Sequence, residues 1–328
     1  DSSMKTKNTL EIKSVLANKA TLLILIAFVA LSLAFVPNFA SAANLVSIES
    51  SFSYLILAAI GMTFVTLNGG IDFSIIAIMN LSGIVGGLIM NSKTGWLAGS
   101  ALAVPAAIAA MLLIGLIIGA INAFAVVKLK MPSFMATMAT NLVFSGTALF
   151  ITKSDTIIGL PSSYKFIGGG KVWVISFSLI LAIVCIVITH LLLSRTTLGR
   201  RIYAVGTSHA VARISGVNVG SVITTLFLLS GLFAALSGIV VSSWMGACRP
   251  NVADDMLMDI VAGVVIGGTS PAGGEGKITG TVVGTLIIVV MSNALALLGL
   301  NWYVINTIKG LLLVCVAFVD AAKRNAKR

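Results

Sequence analysis

Few side chains in this sequence could do chemistry, and most of them lie among residues that make charge expensive. The stretch Asn68-Gly69-Gly70-Ile71-Asp72-Phe73-Ser74 interrupts a long apolar run. Its glycines release the backbone from helical geometry. Asp72 can accept the free N–H groups of a helix that restarts behind it. A carboxylate flanked by apolar segments is also a functional candidate, for a gate or for coupling, because its burial is costly. A second set comprises amides and hydroxyls inside apolar runs: Thr137, Asn141 and Asn293, with Asn80, Asn122, Ser145, Ser230 and Ser237. Such groups donate and accept, which suits an uncharged polyol. They equally join helix to helix. No ring of acids or bases marks an ion pathway.

Other chemistries fail on spacing. The Gly-rich run 267–277 is the one stretch that could cradle a nucleotide, but a P-loop needs G-x-x-x-x-G-K-[ST]. Here Gly276-Lys277 is followed by Ile278, and Pro271 stands where the first glycine belongs. His190 lies in an apolar run and His209 in a polar stretch, so no metal cluster is expected. Cys185 and Cys315 lie in apolar runs and Cys248 in a loop, which excludes a disulfide framework. No catalytic residue is assigned.

The elements that must position these groups follow from composition. Of 328 residues, 58% are hydrophobic and 9% are charged, with a mean hydropathy of +1.09. A soluble domain carries about 25% charged residues, so the solvent for most of this chain is lipid. The apolar runs are far longer than the alternating segments of about ten residues found in a β-barrel. The expected class is an all-α polytopic membrane protein of about ten transmembrane helices, some of them Gly-interrupted or half helices. The segments are 20–36, 52–68, 73–90, 96–127, 133–152, 172–193, 222–244, 257–268, 278–298 and 302–320. Pro105 suggests a kink in the fourth, and the short eighth reads as a half-helix that turns back. The first has lysines ahead of it but no cleavage pattern behind, and is read as a retained helix. Asp1–Ser3, ahead of Met4, are read as a cloning remnant.

The net charge of +11 does not indicate nucleic acid, because the bases sit at the ends of apolar runs. With ten crossings and the N-terminus inside, inner segments hold fifteen bases and outer loops five, so both termini are expected in the cytoplasm. Residues 1–19 then form a cytoplasmic N-terminal segment, 20–320 a single transmembrane domain, and 321–328 a basic cytoplasmic tail. The inner loop 194–221 reads as short helices punctuated by Gly206 and Gly216, with Ser208 as an N-cap. Its apolar face could enter a groove on a cytoplasmic partner. Gly pairs at 69–70 and 267–268 interrupt both halves of the chain, as in a weak inverted repeat. Gly115/Gly119 and Gly280/Gly284 are packing devices.

At three ordered places the sequence resembles the membrane-spanning permeases of ABC sugar importers of the ribose type. Gly61-Met62-Thr63 with Gly70-Ile71-Asp72-Phe73-Ser74 is similar to the family's G-M-T and G-I-D-L-S. Leu198-Gly199-Arg200 through Gly206, Ala210, Arg213 and Ser215-Gly216 looks like its cytoplasmic coupling loop. Asp259-Ile260-Val261-Ala262 through Gly267-Gly268-Thr269-Ser270, Gly273-Gly274 and Gly276 looks like its most distinctive signature. The chain departs from the family's pattern at His209, where a glutamate is usual, at Ile76, where a glycine is frequent, and at Met256-Leu257-Met258, where Y-E-L is frequent.

The resemblance implies a prokaryotic plasma-membrane permease for a monosaccharide or similar neutral polyol. It implies a second permease copy or paralogue, cytoplasmic ATP-binding subunits that hold the ATP and Mg, and an extracytoplasmic sugar-binding protein. The chain itself would carry no cofactor and bind no nucleic acid. Expected pathway residues are Asn68, Asp72, Ser74, Thr137, Asn141 and Asn293. Expected ATPase-coupling residues are Gly206, His209, Ala210, Arg213 and Gly216, and Trp244 and Arg249 are expected to meet the binding protein. The competing readings are a proton-coupled sugar transporter using Asp72, an importer of nucleosides, and a scaffold that transports nothing.

Overall fold

The computed structural model describes residues 21–325. The expected N-terminal segment 1–19 and the last three residues of the basic tail lie outside the described residues. The chain is about 75% helical, in the order α1 (Thr21–Phe35), α2 (Ala42–Leu67), α3 (Ser74–Met90), α4 (Ala103–Val127), α5 (Ser133–Thr152) and α6 (Ser162–Gly169). A two-stranded hairpin, β1 (Lys171–Val172) and β2 (Ile175–Ser176), leads into α7 (Phe177–Arg195). Then come α8 (Thr197–Thr207), α9 (His209–Ile214), α10 (Val219–Met245), a 3-10 turn (Asp254–Met256), α11 (Leu257–Ile266), α12 (Ile278–Leu297) and α13 (Trp302–Asn325).

The described residues hold thirteen α-helices in all, short ones included, against an expectation of about ten that cross the membrane. Six of them, α2, α4, α5, α7, α10 and α12, are long and apolar enough to cross a membrane on that criterion. Every expected apolar segment contains a helix, but two begin later than hydropathy suggested. Residues 96–102 are turns, and α4 starts at Ala103. Pro105 is therefore its third residue, where an amide proton has no helical acceptor, and no kink is needed. Likewise 171–176 form the hairpin ahead of α7, whose N-cap Ser176 accepts from the Leu179 amide at 3.3 Å. Ser176 is in turn fixed by Glu49 Oε1, which accepts from its amide at 2.8 Å and its hydroxyl at 2.6 Å.

α2 and α10 form the centre. Most of α2 is buried, from Phe52 to Leu67 without interruption, and α10 packs on α2, α3 and α4. Close approach explains the glycine spacings. A Cβ on Gly115 would collide with the Gly231 carbonyl, and one on Gly119 would press on Phe227, so α4 and α10 touch backbone to backbone. Gly280 and Gly284 do the same for α12 against Gly263 of α11 and Gly267 just past its end. In contrast α4, α5 and α7 turn wide faces of Leu, Ile, Val and Phe outward. Surfaces of that extent require lipid or another protein surface.

The eighth expected segment is a half-helix, as its length suggested. α10 ends at Gly246, and the chain then runs without regular helix to the turn at 254–256. Asn80, in the interior of α3, holds this segment: its Oδ1 accepts from the Ala253 amide at 3.0 Å and its Nδ2 donates to Asp254 Oδ1 at 2.8 Å. Irregular backbone buried in protein needs such partners. The ten residues of α11 then rise about 15 Å at 1.5 Å per residue, half of a hydrocarbon core of about 30 Å. Asp259 on α11 pairs with Lys309 on α13 at 2.7 Å, so the lysine inside the last apolar segment is neutralised.

Candidate translocation and coupling site

The two Gly-rich breaks meet at one end of the bundle. α2 stops at Leu67, and Gly69 takes φ +78°, a conformation that side chains resist. The second break, 267–277, folds against the first. The Gly274 amide donates to the Leu67 carbonyl at 2.8 Å. A Cβ on Gly69 would lie 3.1 Å from the Ala272 carbonyl oxygen. Above the breaks, Thr63 of α2 and Thr281 of α12 share a hydrogen bond of 2.9 Å. The run 267–277 joins two helices, α11 and α12.

Behind the first break lies a closed polar network. Asp72 Oδ1 accepts from the Ser74 amide at 3.0 Å and from the Ser74 hydroxyl. Its Oδ2 accepts from Ser230 Oγ of α10 at 2.7 Å. Asn122 of α4 donates to Ser74 Oγ at 2.8 Å, and its own Oδ1 accepts from Thr140 Oγ1 of α5 at 2.8 Å. Thr137 Oγ1 accepts from the Phe73 amide at 3.1 Å, with the Ser133 carbonyl at 2.9 Å as acceptor for its proton. The network bolts the break to α4, α5 and α10, and Asp72 within it is only 1% exposed.

The six expected pathway residues therefore fall into separate places. Asp72, Ser74 and Thr137 come together, buried and engaged within this chain. Asn141 lies one turn further along α5, half-buried, and accepts from Ser145 at 3.3 Å. Asn293 is held with Asn44 in a reciprocal amide pair, at 2.7 and 2.9 Å, that ties α12 to α2. Asn68 belongs to the loop side, with its Oδ1 3.1 Å from His209 Nε2.

The loop 194–221 folds as three capped starts. Thr196 accepts from the Gly199 amide, Ser208 from that of Val211 and Asn218 from that of Ser221. Ser208 thus caps α9 as its sequence position suggested. α8 buries Gly199, Ile202 and Val205 and fastens to both breaks. A Cβ on Gly206 would meet the Leu67 carbonyl and lie 2.7 Å from the Gly274 amide nitrogen. Tyr203 donates from its hydroxyl to the Gly276 carbonyl at 2.9 Å. Burial raises the Tyr203 phenol above its ordinary pKa, which keeps that proton in place. His209, Ala210, Arg213 and Gly216 are exposed. Beside them Val211 is 62% and Ile214 88% exposed, an apolar pair framed by polar and basic groups.

At the far end of α10, Trp244 and Arg249 are exposed. The Trp244 ring stands 6.0 Å from that of Tyr54. α6 crosses this end and is pinned there, with the Gly168 amide donating to Ser243 Oγ at 2.7 Å and Ser243 Oγ to the Tyr164 carbonyl at 2.6 Å. Sequence reasoning missed the Asn80–Asp254 contact and the Asp259–Lys309 pair. The available signal was a lone cation and a lone anion in separate apolar segments, which must find each other.

Comparison with known proteins bears on the family of the chain. The family model described as "Branched-chain amino acid transport system / permease component" matches residues 44–317. The ribose import permease protein RbsC of Bacillus subtilis is 36% identical over 298 residues, covering 88% of this chain and 87% of that protein. The L-arabinose transport system permease protein AraH of Escherichia coli is 30% identical, over 90% and 87% of the two chains. The xylose transport system permease protein XylH of Escherichia coli is 30% identical, over 82% of each. No solved structure matches. A family match across most of the helical bundle, together with relatives of this identity and coverage, shows that the chain belongs to the transport-system permease component family.

Proposed function

We propose that this chain is the membrane-spanning subunit of an ATP-driven importer for a monosaccharide or similar neutral polyol, in a prokaryotic plasma membrane. One observation carries the coupling: α8 is fastened to both Gly-rich breaks while α9 presents Val211 and Ile214 outward. A partner that grips α9 thereby pulls on the points where two helices are interrupted. His209, Ala210, Arg213 and Gly216 would form the docking face, and Gly206 the junction. ATP and Mg would be held by the cytoplasmic partner, and this chain would do no catalysis. The supporting similarity for the cargo is to permeases named for ribose, L-arabinose and xylose.

In this reading α1, α3, α13 and the pass made by residues 247–266, which ends in the half-helix α11, join the six long helices to give ten crossings, with both termini cytoplasmic. The positive bias of the α8–α9 end supports that orientation. Asn141 and the exposed faces around α5 would meet a second permease copy or paralogue across the pathway, with Asn68, Asp72, Ser74, Thr137 and Asn293 shaping its walls indirectly through the bonds described. Trp244 and Arg249 would face an extracytoplasmic sugar-binding protein. Against the proton-coupled alternative, Asp72 is buried and already accepts three hydrogen bonds from within the chain.

The test is purification from native membrane in mild detergent. A P-loop ATPase should copurify at fixed stoichiometry, and should be lost when residues 206–216 are replaced by a flexible linker. Copurification unaffected by that replacement, or no ATPase at all, would contradict the coupling role.

A further inference from the structure

Beside the second Gly-rich break lies a cavity of about 780 Å³ that the transport reading does not use. It opens between the end of α7, the start of α8 and the start of α12. Its polar lining includes His190, Arg200, Tyr203, Glu275, Lys277 and Thr279. Among the described residues, neither Arg200 nor Lys277 has a carboxylate within ion-pairing distance. α12 begins here with Lys277 at its cap position and without a capping side chain. Its first amide protons and the positive end of its dipole therefore lack a partner. Glu275 is the opposing charge, so Arg200 and Lys277 together leave an excess of one positive charge over it.

The apolar side of the cavity is equally specific. Leu193 and Ile278 form its buried wall. Along α7, Ile183 and Val187 lie on the same side as His190 and Ser194, by the three- and four-residue spacing of a helix. Both are about half exposed, at 47% and 50%. An apolar stripe thus leads from the open face of α7 into a basic recess at the helix end. This is the pattern expected where one molecule carries a phosphate and a hydrocarbon chain together. Basic recesses between helices at the cytoplasmic boundary suit anionic headgroups.

We propose that this recess binds the phosphate headgroup of an anionic phospholipid of the inner leaflet, with an acyl chain along Ile183 and Val187. Arg200 and Lys277 would contact the phosphate, and the free amides at the start of α12 would complete its acceptors. The recess shares Tyr203 and Gly276 with the hydrogen bond that joins α8 to the break, so an occupied site would brace the coupling loop. The inference rests on reading this end as a membrane boundary, and its test involves no ATPase.

The test is native mass spectrometry of the purified full chain in micelles holding equal phosphatidylglycerol and phosphatidylcholine of matched chains. Retained phosphatidylglycerol should exceed phosphatidylcholine by about five-fold or more, the scale of one basic residue near a membrane surface. The double variant Arg200→Gln/Lys277→Gln should bring the ratio close to one, and Glu275→Gln should raise it. Glu275→Gln carries the test if the double variant does not fold. A ratio near one in the unaltered chain, an undiminished ratio in the double variant, or no rise with Glu275→Gln would overturn the proposal. Full displacement of the lipid by millimolar inorganic phosphate would overturn the lipid source and assign the recess to a soluble phosphate.

Discussion

Asp72 separates a structural reading of the first break from a chemical one. Replacing it with alanine removes the acceptor of three donors together: the Ser74 amide at 3.0 Å, the Ser74 hydroxyl and the Ser230 hydroxyl at 2.7 Å. A buried donor left without a partner costs about 1–3 kcal/mol. The two hydroxyls can rotate, and the backbone amide cannot. Asp72→Ala should therefore destabilise the chain by roughly 2–4 kcal/mol. Asparagine keeps one carbonyl acceptor for Ser74, while its amide can donate to a Ser230 hydroxyl that turns to accept. Only the assistance of the charge is lost, so Asp72→Asn should cost about 1 kcal/mol. Thermal unfolding in detergent gives the stability order, and uptake by proteoliposomes containing the assembled transporter gives the function. The account predicts that Asp72→Asn transports and Asp72→Ala is poorly folded. An Asp72→Asn chain with an unchanged unfolding midpoint and no uptake would refute it, because the carboxylate would then be needed for its charge or its proton.

Further outcomes follow from other contacts. Gly206→Val forces a side chain into the Leu67 carbonyl and the Gly274 amide, an overlap worth about 1–3 kcal/mol. It should uncouple ATPase activity from uptake, while Gly216→Ala, with open space around it, should cost about 1 kcal/mol from its left-handed backbone alone. Ile214→Glu, at an 88% exposed position, should change the unfolding free energy by no more than about 0.5 kcal/mol and abolish ATPase copurification. Lys309→Met strands Asp259 and should destabilise by about 3–5 kcal/mol. The reversed pair Asp259→Lys/Lys309→Asp should recover much of that loss in the same unfolding assay.

The helices were legible because an apolar run long enough to span lipid has few other solutions. Their starts were not, at 96–103 and 172–177. Trp96, Leu97 and Val172 are as apolar as a span, but hydropathy does not register turns: α4 begins only at Ala103, and α7 begins behind the cap at Ser176. Local chemistry was readable: Ser208 as a cap, Asp72 beside the restarting helix, and the half-helix before Gly267. These depend on neighbours within a few residues. Grouping the polar residues was harder. Asn293 and Asn141 looked alike in sequence, yet Asn293 is spent on Asn44, 249 positions away. The Asp259–Lys309 pair joins residues 50 apart, and which helix faces which is a tertiary fact.

The central claim is that energy enters through α9 from a cytoplasmic ATPase and reaches the pathway through the two Gly-rich breaks. Its most direct test reconstitutes the chain with its copurifying ATPase and a sugar-binding protein in proteoliposomes, and follows uptake of a radiolabelled pentose. The account predicts uptake that requires ATP on the α9 side, persists with a protonophore, and is lost in Ile214→Glu. Uptake that proceeds without ATP and collapses with the proton gradient would contradict it.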